Sequence, residues 1–199
     1  MLALESLLGE ARWLSILRPV AVAGVLVLLW RHYDELHGRI RLTPRHAVLA
    51  IGLGVAIFAT WIAFERGWAT VGNERGGFDP RGASGQVDWV LATLRLAGFG
   101  LVVPVMEELF WRSFLLRWIA SPKDFLALDP RRAGFVAFAL TSALFASEHS
   151  LWFAGLVAGA AYAFVYMRVR NLWAAVLSHA VTNTTLGVWI LATGDWHLW

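Results

Sequence analysis

Six runs of apolar residues, divided by short polar and basic stretches, organise the chain. They cover about Trp13–Trp30, His46–Phe64, Trp89–Trp118, Ala133–Ser147, Leu151–Met167 and Leu172–Thr193. A helix that crosses the hydrocarbon layer needs roughly 20 apolar residues, so runs of this length predict membrane spans. The first carries Arg18 and Pro19 near its start. The third is apolar through Met106 and continues amphipathically, the fourth is the shortest, and the sixth is unusually polar. The pattern predicts an all-α fold, a polytopic transmembrane helix bundle of about six spans in one membrane-embedded domain spanning 1–199. Within it, 1–88 reads as an N-terminal two-span region with an extramembrane loop at 65–88, and 89–193 as the functional core. The loop is rich in glycine (Gly67, Gly72, Gly76, Gly77, Gly82, Gly85) but has no Gly-Lys-Ser/Thr ending, so it is not a phosphate loop.

Composition agrees with a bilayer as solvent. Hydrophobic residues make up 58% of the 199 residues and charged residues 16%, where a soluble domain carries about a quarter charged. The absence of cysteine excludes disulfide scaffolds, thiolate metal sites and cysteine nucleophiles. Met1 to Glu10 holds Glu5 and Glu10 and no basic start, so no cleavable signal peptide is expected and the first span stays as an anchor. Arginines flank the apolar runs instead of forming a patch, which argues against a nucleic-acid partner.

The basic residues also set an orientation. Arg31, Arg39, Arg41 and Arg45 lie between the first two spans, Arg117, Lys123, Arg131 and Arg132 follow the third, and Arg168 and Arg170 precede the sixth. With six spans these share one side, against Arg12, Arg66, Arg75 and Arg81 on the other. Positive-inside bias then places both termini on the non-cytoplasmic side of the cell (inner) membrane. Trp13, Trp30, Trp61, Trp68, Trp89, Trp118, Trp152 and Trp173 lie near span ends, where indole rings favour the interface. Gly155 and Gly159 form a small-xxx-small pair that suits close helix packing. Asn183-Thr184-Thr185 matches a glycosylation acceptor but falls inside a span and is set aside.

Ionisable groups inside spans cost roughly 2.5–3.5 kcal/mol each on insertion scales, and three clusters here need an explanation. In Glu107-Glu108-Leu109-Phe110-Trp111-Arg112, Glu108 and Arg112 are four apart and can pair, while Glu107 points about 100° away. A desolvated carboxylate can serve as a general base, and a helix end snorkelling its charges into water explains the cluster equally well. Phe145-Ala146-Ser147-Glu148-His149 puts Phe145 and His149 on one face, and alone reads as an interfacial polar turn. His179 and Asn183 project from one side of the sixth span, as interhelical glue or as donors to an oxyanion. Arg95, mid-span, is placed to line a cavity or to pair with Glu107. The depths do not coincide: along straight helices Glu107 lies roughly 15 Å from Arg117, His179 roughly 10 Å from Leu172, and His149 roughly 25 Å from Arg132. A tilted fourth span, or a dip of 120–135 into the bilayer, would reconcile them.

Together the clusters resemble the CPBP family of intramembrane proteases, which includes the CAAX prenyl endopeptidases and bacteriocin-processing enzymes. That family's ordered pattern, Glu-Glu-x-x-x-Arg, Phe-x-x-x-His and His-x-x-x-Asn, reads here EELFWR at 107–112, FASEH at 145–149 and HAVTN at 179–183. The stretches VVPVMEELFWRSFLLRW and LWFAGLVAGAAYAF are also similar to a bacterial CAAX-protease-related subgroup associated with exosortase sorting systems. The resemblance covers about 89–193. It implies an intramembrane endopeptidase with its catalytic cavity between the third, fourth and sixth spans. Glu107 and His149 would activate a water, His179 and Asn183 would form the oxyanion hole, and Glu108 and Arg112 would support the site. It implies a membrane-associated, lipidated or plain, protein or peptide as substrate, with membrane lipids and an exosortase-type sorting system as partners. Part of the family carries the label metalloprotease, which would make Glu107, His149 and His179 zinc ligands. The helical His-Glu-x-x-His motif is absent, which favours a glutamate-activated water without metal. The competing readings are a non-catalytic sorting or immunity partner that keeps the constellation for packing, and a transporter, which the lack of an internal repeat disfavours.

Overall fold

The computed structural model describes residues 11–37, 42–71, 77–82 and 84–199. The expectations that involve Glu5, Glu10, Arg39, Arg41, Gly72, Arg75 and Gly76, and the side chains of Arg12 and Trp13, lie outside the described residues.

The described chain forms six main helices: α1 (Ala11–Leu28), α2 (Pro44–Ala63), α3 (Trp89–Ala120), α4 (Gly134–Ser147), α5 (Trp152–Val169) and α6 (Leu172–Thr193). Four of them, α2, α3, α5 and α6, are long and apolar enough to cross a membrane, while α1 and α4 are shorter apolar helices. Their outward faces carry large apolar side chains such as Val27, Leu28, Val48 and Phe135, at 74%, 77%, 70% and 80% exposure. So much exposed hydrocarbon suits lipid and not water, and the protein is an integral membrane protein.

Helix ends follow local chemistry. Thr43 caps α2 by accepting from the His46 N–H, with Pro44 in the first turn, where its missing N–H costs nothing. Asp88 caps α3 through the Leu91 N–H, and Asn171 caps α6 through the Trp173 N–H. Between α5 and α6 the chain turns in one step at Arg170, whose φ of 61° is left-handed. Gly194 ends α6 at φ 78°, a conformation that glycine adopts without strain.

α3 is one continuous 32-residue helix, but it is wound wide twice, at Gly98–Val102 and again at Leu109–Leu116. The first π stretch precedes Pro104, which has no N–H and crowds the carbonyl four residues back. The second begins directly after Glu108. The two carboxylates therefore sit on a short α-helical piece between two π segments, a register change of the kind that often marks functional positions.

Small residues bring the helices together, as expected where water supplies no driving force. A Cβ on Gly54 of α2 would fall 2.5 Å from the Ser178 carbonyl oxygen of α6, and Thr182 donates its hydroxyl to the Gly54 carbonyl at 2.9 Å. Gly155 and Gly159 of α5 lie against Ala146, His149 and Ser142 at the C-terminal part of α4. Gly98 of α3 meets Pro19 of α1, and Gly100 meets Thr184 of α6. The N-terminal helices are thus packed into the same bundle as the core.

Candidate active site

Glu108 is the anchor of the site. It is fully buried, and its carboxylate takes two partners from two helices. Arg112 Nε lies 3.1 Å from one oxygen, one turn further along α3, and His179 Nδ1 of α6 lies 2.8 Å from the other. Arg112 is itself buried, donates to the Gly159 carbonyl of α5 at 3.0 Å, and lies over the rings of Phe145 and Tyr162 at 4.7 and 5.4 Å. Tyr162 in turn stacks on the His179 imidazole, with centroids 4.6 Å apart and planes at 15°. Glu108 thereby joins α3 to α6, and Arg112 joins α3 to α5 and α4.

His149 stands in the turn after α4. Its Nδ1 lies 2.7 Å from the Phe145 carbonyl, one helical turn back, and its ring lies 4.7 Å from the Phe145 ring. Trp61 of α2 approaches the other side edge-on at 5.5 Å. Burial pushes the His149 imidazole below its ordinary value, and the hydrogen bond to Phe145 opposes that only in part. Depths counted along straight helices do not keep the groups apart, since His149 lines one cavity with Glu107 and His179. α4 has 14 residues, about 21 Å at 1.5 Å per residue, and His149 hangs beyond its end in a turn.

Asn183 of α6 donates through Nδ2 to the Phe99 carbonyl of α3 at 2.9 Å. That acceptor lies in the first π stretch, where Val103 N–H bonds five residues back to Gly98.

Glu107, His149, His179 and Asn183 all line one cavity of about 310 Å³. Its walls come from more of the bundle than the third, fourth and sixth spans. α2 contributes Trp61, α5 contributes Ala158 and Tyr162, and the chain beyond α6 contributes His197, Leu198 and Trp199. Glu107 is the carboxylate left over: it forms no ion pair with any described residue, and no hydrogen bond joins it to His149. Both reach the same space.

Several sequence expectations change. Trp61, near the end of α2, also forms a wall of the cavity. Arg95 neither pairs with Glu107 nor lines this cavity; its guanidinium lies 5.3 Å over the Phe78 ring in a neighbouring pocket. The 65–88 loop is more than a connector. Gly77 lines the cavity and sits so close to the Trp196 carbonyl that no side chain fits, and the Phe78 N–H bonds the Trp199 carbonyl at 3.2 Å. Arg117, counted as a loop charge, is buried and paired with Glu35 at 2.8 Å. Tyr162 and the 196–199 turn escaped the sequence reading. Tyr162 was visible only as one aromatic in an apolar helix, and the turn lies outside every span.

Among the described residues no three His, Asp or Glu side chains are grouped to hold a metal ion; Nδ1 of His149 and of His179 is engaged, which leaves Nε2 of each ring open.

No curated protein and no solved structure matches the chain. Residues 89–185, which run from the start of α3 to past Asn183, match the model of the Rce1-like family, described as type II CAAX prenyl endopeptidase Rce1-like. The three ordered motifs all fall inside this match, so residues 89–185 form a region of the type II CAAX prenyl endopeptidase Rce1-like kind.

Proposed function

We propose that the protein is an intramembrane endopeptidase that hydrolyses a peptide bond of a membrane-associated protein or peptide. One observation carries the reading: an unpaired carboxylate, Glu107, shares a cavity inside an apolar bundle with His149, His179 and Asn183. A water held between Glu107 and His149 loses a proton to Glu107 and attacks the scissile carbonyl carbon. The proton then passes to the leaving amine as the C–N bond breaks. With Nδ1–H of His149 committed to the Phe145 carbonyl, its Nε2 lone pair is free to accept from that water.

The tetrahedral oxygen carries negative charge and needs donors. Asn183 spends one N–H on Phe99 and retains the other. His179 gives Nδ1–H to Glu108, so its Nε2 donates only when the ring carries both protons. Tyr162 stacks on the ring and fixes its plane, and Glu108 is a positioning residue that orients the imidazole through Nδ1. Each such donor commonly supplies about 2.7–4 kcal/mol of transition-state stabilisation. The same reading places the basic 117–132 and 168–171 segments on the cytoplasmic side.

The test is cleavage of lipidated and plain peptides by reconstituted protein, with Glu107→Ala and His179→Ala beside the wild type, each with and without chelator. Folded variants that lose cleavage, with chelator harmless, are the expected result. Cleavage that survives both substitutions overturns the assignment. Loss on chelation, restored by zinc, would replace the glutamate mechanism with a metal one.

A further inference from the structure

A second pocket lies beside the first on the opposite side of α3. Its volume is about 220 Å³, it shares Phe99 and Val103 with the active-site cavity, and it receives two arginines, Arg18 of α1 and Arg95 of α3. Both bring positive charge to the one pocket. Neither forms an ion pair or hydrogen bond with a described residue, and Arg95 Nε is buried without a partner. Arg81, only a short distance away in sequence, is fully answered by Asp79 at 2.6 Å. Two like charges share one pocket with no carboxylate beside them among the described residues, Arg95 buried and Arg18 exposed at its edge, an arrangement suited to an anion.

The position is built, not incidental. The contact of Pro19 with Gly98, where no Cβ fits, locks α1 against α3 next to both arginines. Arg95 lies six residues into α3, counted from Trp89. At 1.5 Å per residue it sits about 9 Å in, close to the inner edge of a headgroup layer, and Arg18 shares its pocket. From there an open apolar groove of about 470 Å³ continues down the same helix pair. The groove shares Val22 and Met106 with the arginine pocket and runs past Val25, Leu26 and Phe110.

We propose that Arg18, Arg95 and this groove form a binding site for an anionic phospholipid. The phosphate sits between the two guanidinium groups, and one acyl chain lies along the seam of α1 and α3. The lipid would brace α1 against α3 across Phe99 and Val103, the wall that the pocket shares with the active site. Two cations above an apolar seam match an amphiphile; a soluble anion would leave the groove unused.

Delipidated full-length protein in neutral detergent tests this without any turnover. Retention of phosphatidylglycerol against phosphatidylcholine is read by native mass spectrometry, and thermal stability is read with each lipid and with inorganic phosphate. Wild type should prefer phosphatidylglycerol, and Arg18→Gln/Arg95→Gln should lose about fivefold in that preference per arginine, from roughly 1 kcal/mol for each basic residue near an anionic surface. Arg18→Gln alone, at an exposed position, should give the smaller part without disturbing the fold. Val25→Trp should block the groove and lower retention of the lipid. A preference unchanged in the double variant overturns the proposal, as does unchanged retention in Val25→Trp. Equal stabilisation by inorganic phosphate would assign the site to a soluble anion instead. A raised KM confined to peptides with a free carboxylate, with lipid preference intact, would assign the arginines to substrate.

Discussion

α3 carries two buried arginines one and a half turns apart, and each is paired with a glutamate, yet the two clusters do different work. Arg117 pairs with Glu35, from the turn after α1, at 2.8 Å, and Tyr166 donates its hydroxyl to the other carboxylate oxygen at 2.7 Å. Arg112 pairs with Glu108, and His179 takes the other oxygen. Each glutamate therefore has one cation and one ring partner. The difference lies in what remains. Around Arg117 the Glu35 carboxylate, the Tyr166 hydroxyl and the Leu126 carbonyl close a packed cluster with only Arg117 Nε left over, and it ties the turn after α1 to α3 and α5. Around Arg112 a second carboxylate, a second imidazole and an amide remain, and they face a cavity. Buried charge alone does not mark a site; surplus groups around a shared space do.

The sharpest break of the comparison is Glu107→Gln. It removes the surplus carboxylate and leaves the Glu108 network whole. Loss of about 10²–10⁴-fold in kcat is expected, the range of a positioned general base, with thermal stability near that of the wild type. Equal kcat in a folded variant would make Glu107 no more catalytic than Glu35. Asn183→Ala comes next, at about 10²–10³-fold in kcat with little change in KM, as for one oxyanion donor. A rise in KM with kcat intact would place Asn183 in binding instead.

The first cluster was legible in the sequence because its pairing is local. Glu108 and Arg112 are four apart, so their shared face follows from helix geometry, and Glu107 follows as the odd one out. The run lengths also placed all six helices to within about two residues, because bilayer thickness sets them. Glu35 and Arg117 are far apart in sequence, and no period connects them; Arg117 read as a loop charge. The same limit hid the His179–Glu108 bond. Each motif gave one side chain, but only packing of α6 on α3 gives both a common hydrogen bond. The part Trp61 plays in the cavity was not legible, because position near a span end is shared by rings that face outward and by rings that turn inward.

Glu35→Gln should act in the opposite sense to Glu107→Gln. It leaves Arg117 buried without its counter-charge, and should cost about 2–3 kcal/mol, somewhat less than a fully enclosed pair, because Glu35 is 24% exposed. Cleavage per folded molecule should be unchanged. Chemical denaturation in detergent, with activity normalised to the folded fraction, separates the two. A variant that is stable but inactive would move the Glu35 cluster into the functional site and dissolve the distinction drawn between them.

The smallest effect concerns His149, the one site residue held by a turn instead of a helix. Burial keeps its imidazole below the ordinary value of 6.5; the Phe145 carbonyl and Glu148 pull upward, and His179 and Arg112 push further down. Well above pH 6.5 the ring is neutral in both folded and unfolded chains and adds nothing to the pH dependence of stability. As pH falls below 6.5 the unfolded chain binds a proton that the folded chain resists, so stability declines until the folded value is reached and is level after that. The slope cannot exceed about 1.4 kcal/mol per pH unit for one group. His149→Gln removes this contribution, so its loss of thermal stability from pH 7.5 to 5.5 should be smaller than that of the wild type. An identical loss would mean that His149 is solvated in the folded protein. It would then titrate as a free histidine, and its Nε2 would be protonated too readily on acidification to hold a water for Glu107 much below neutral pH.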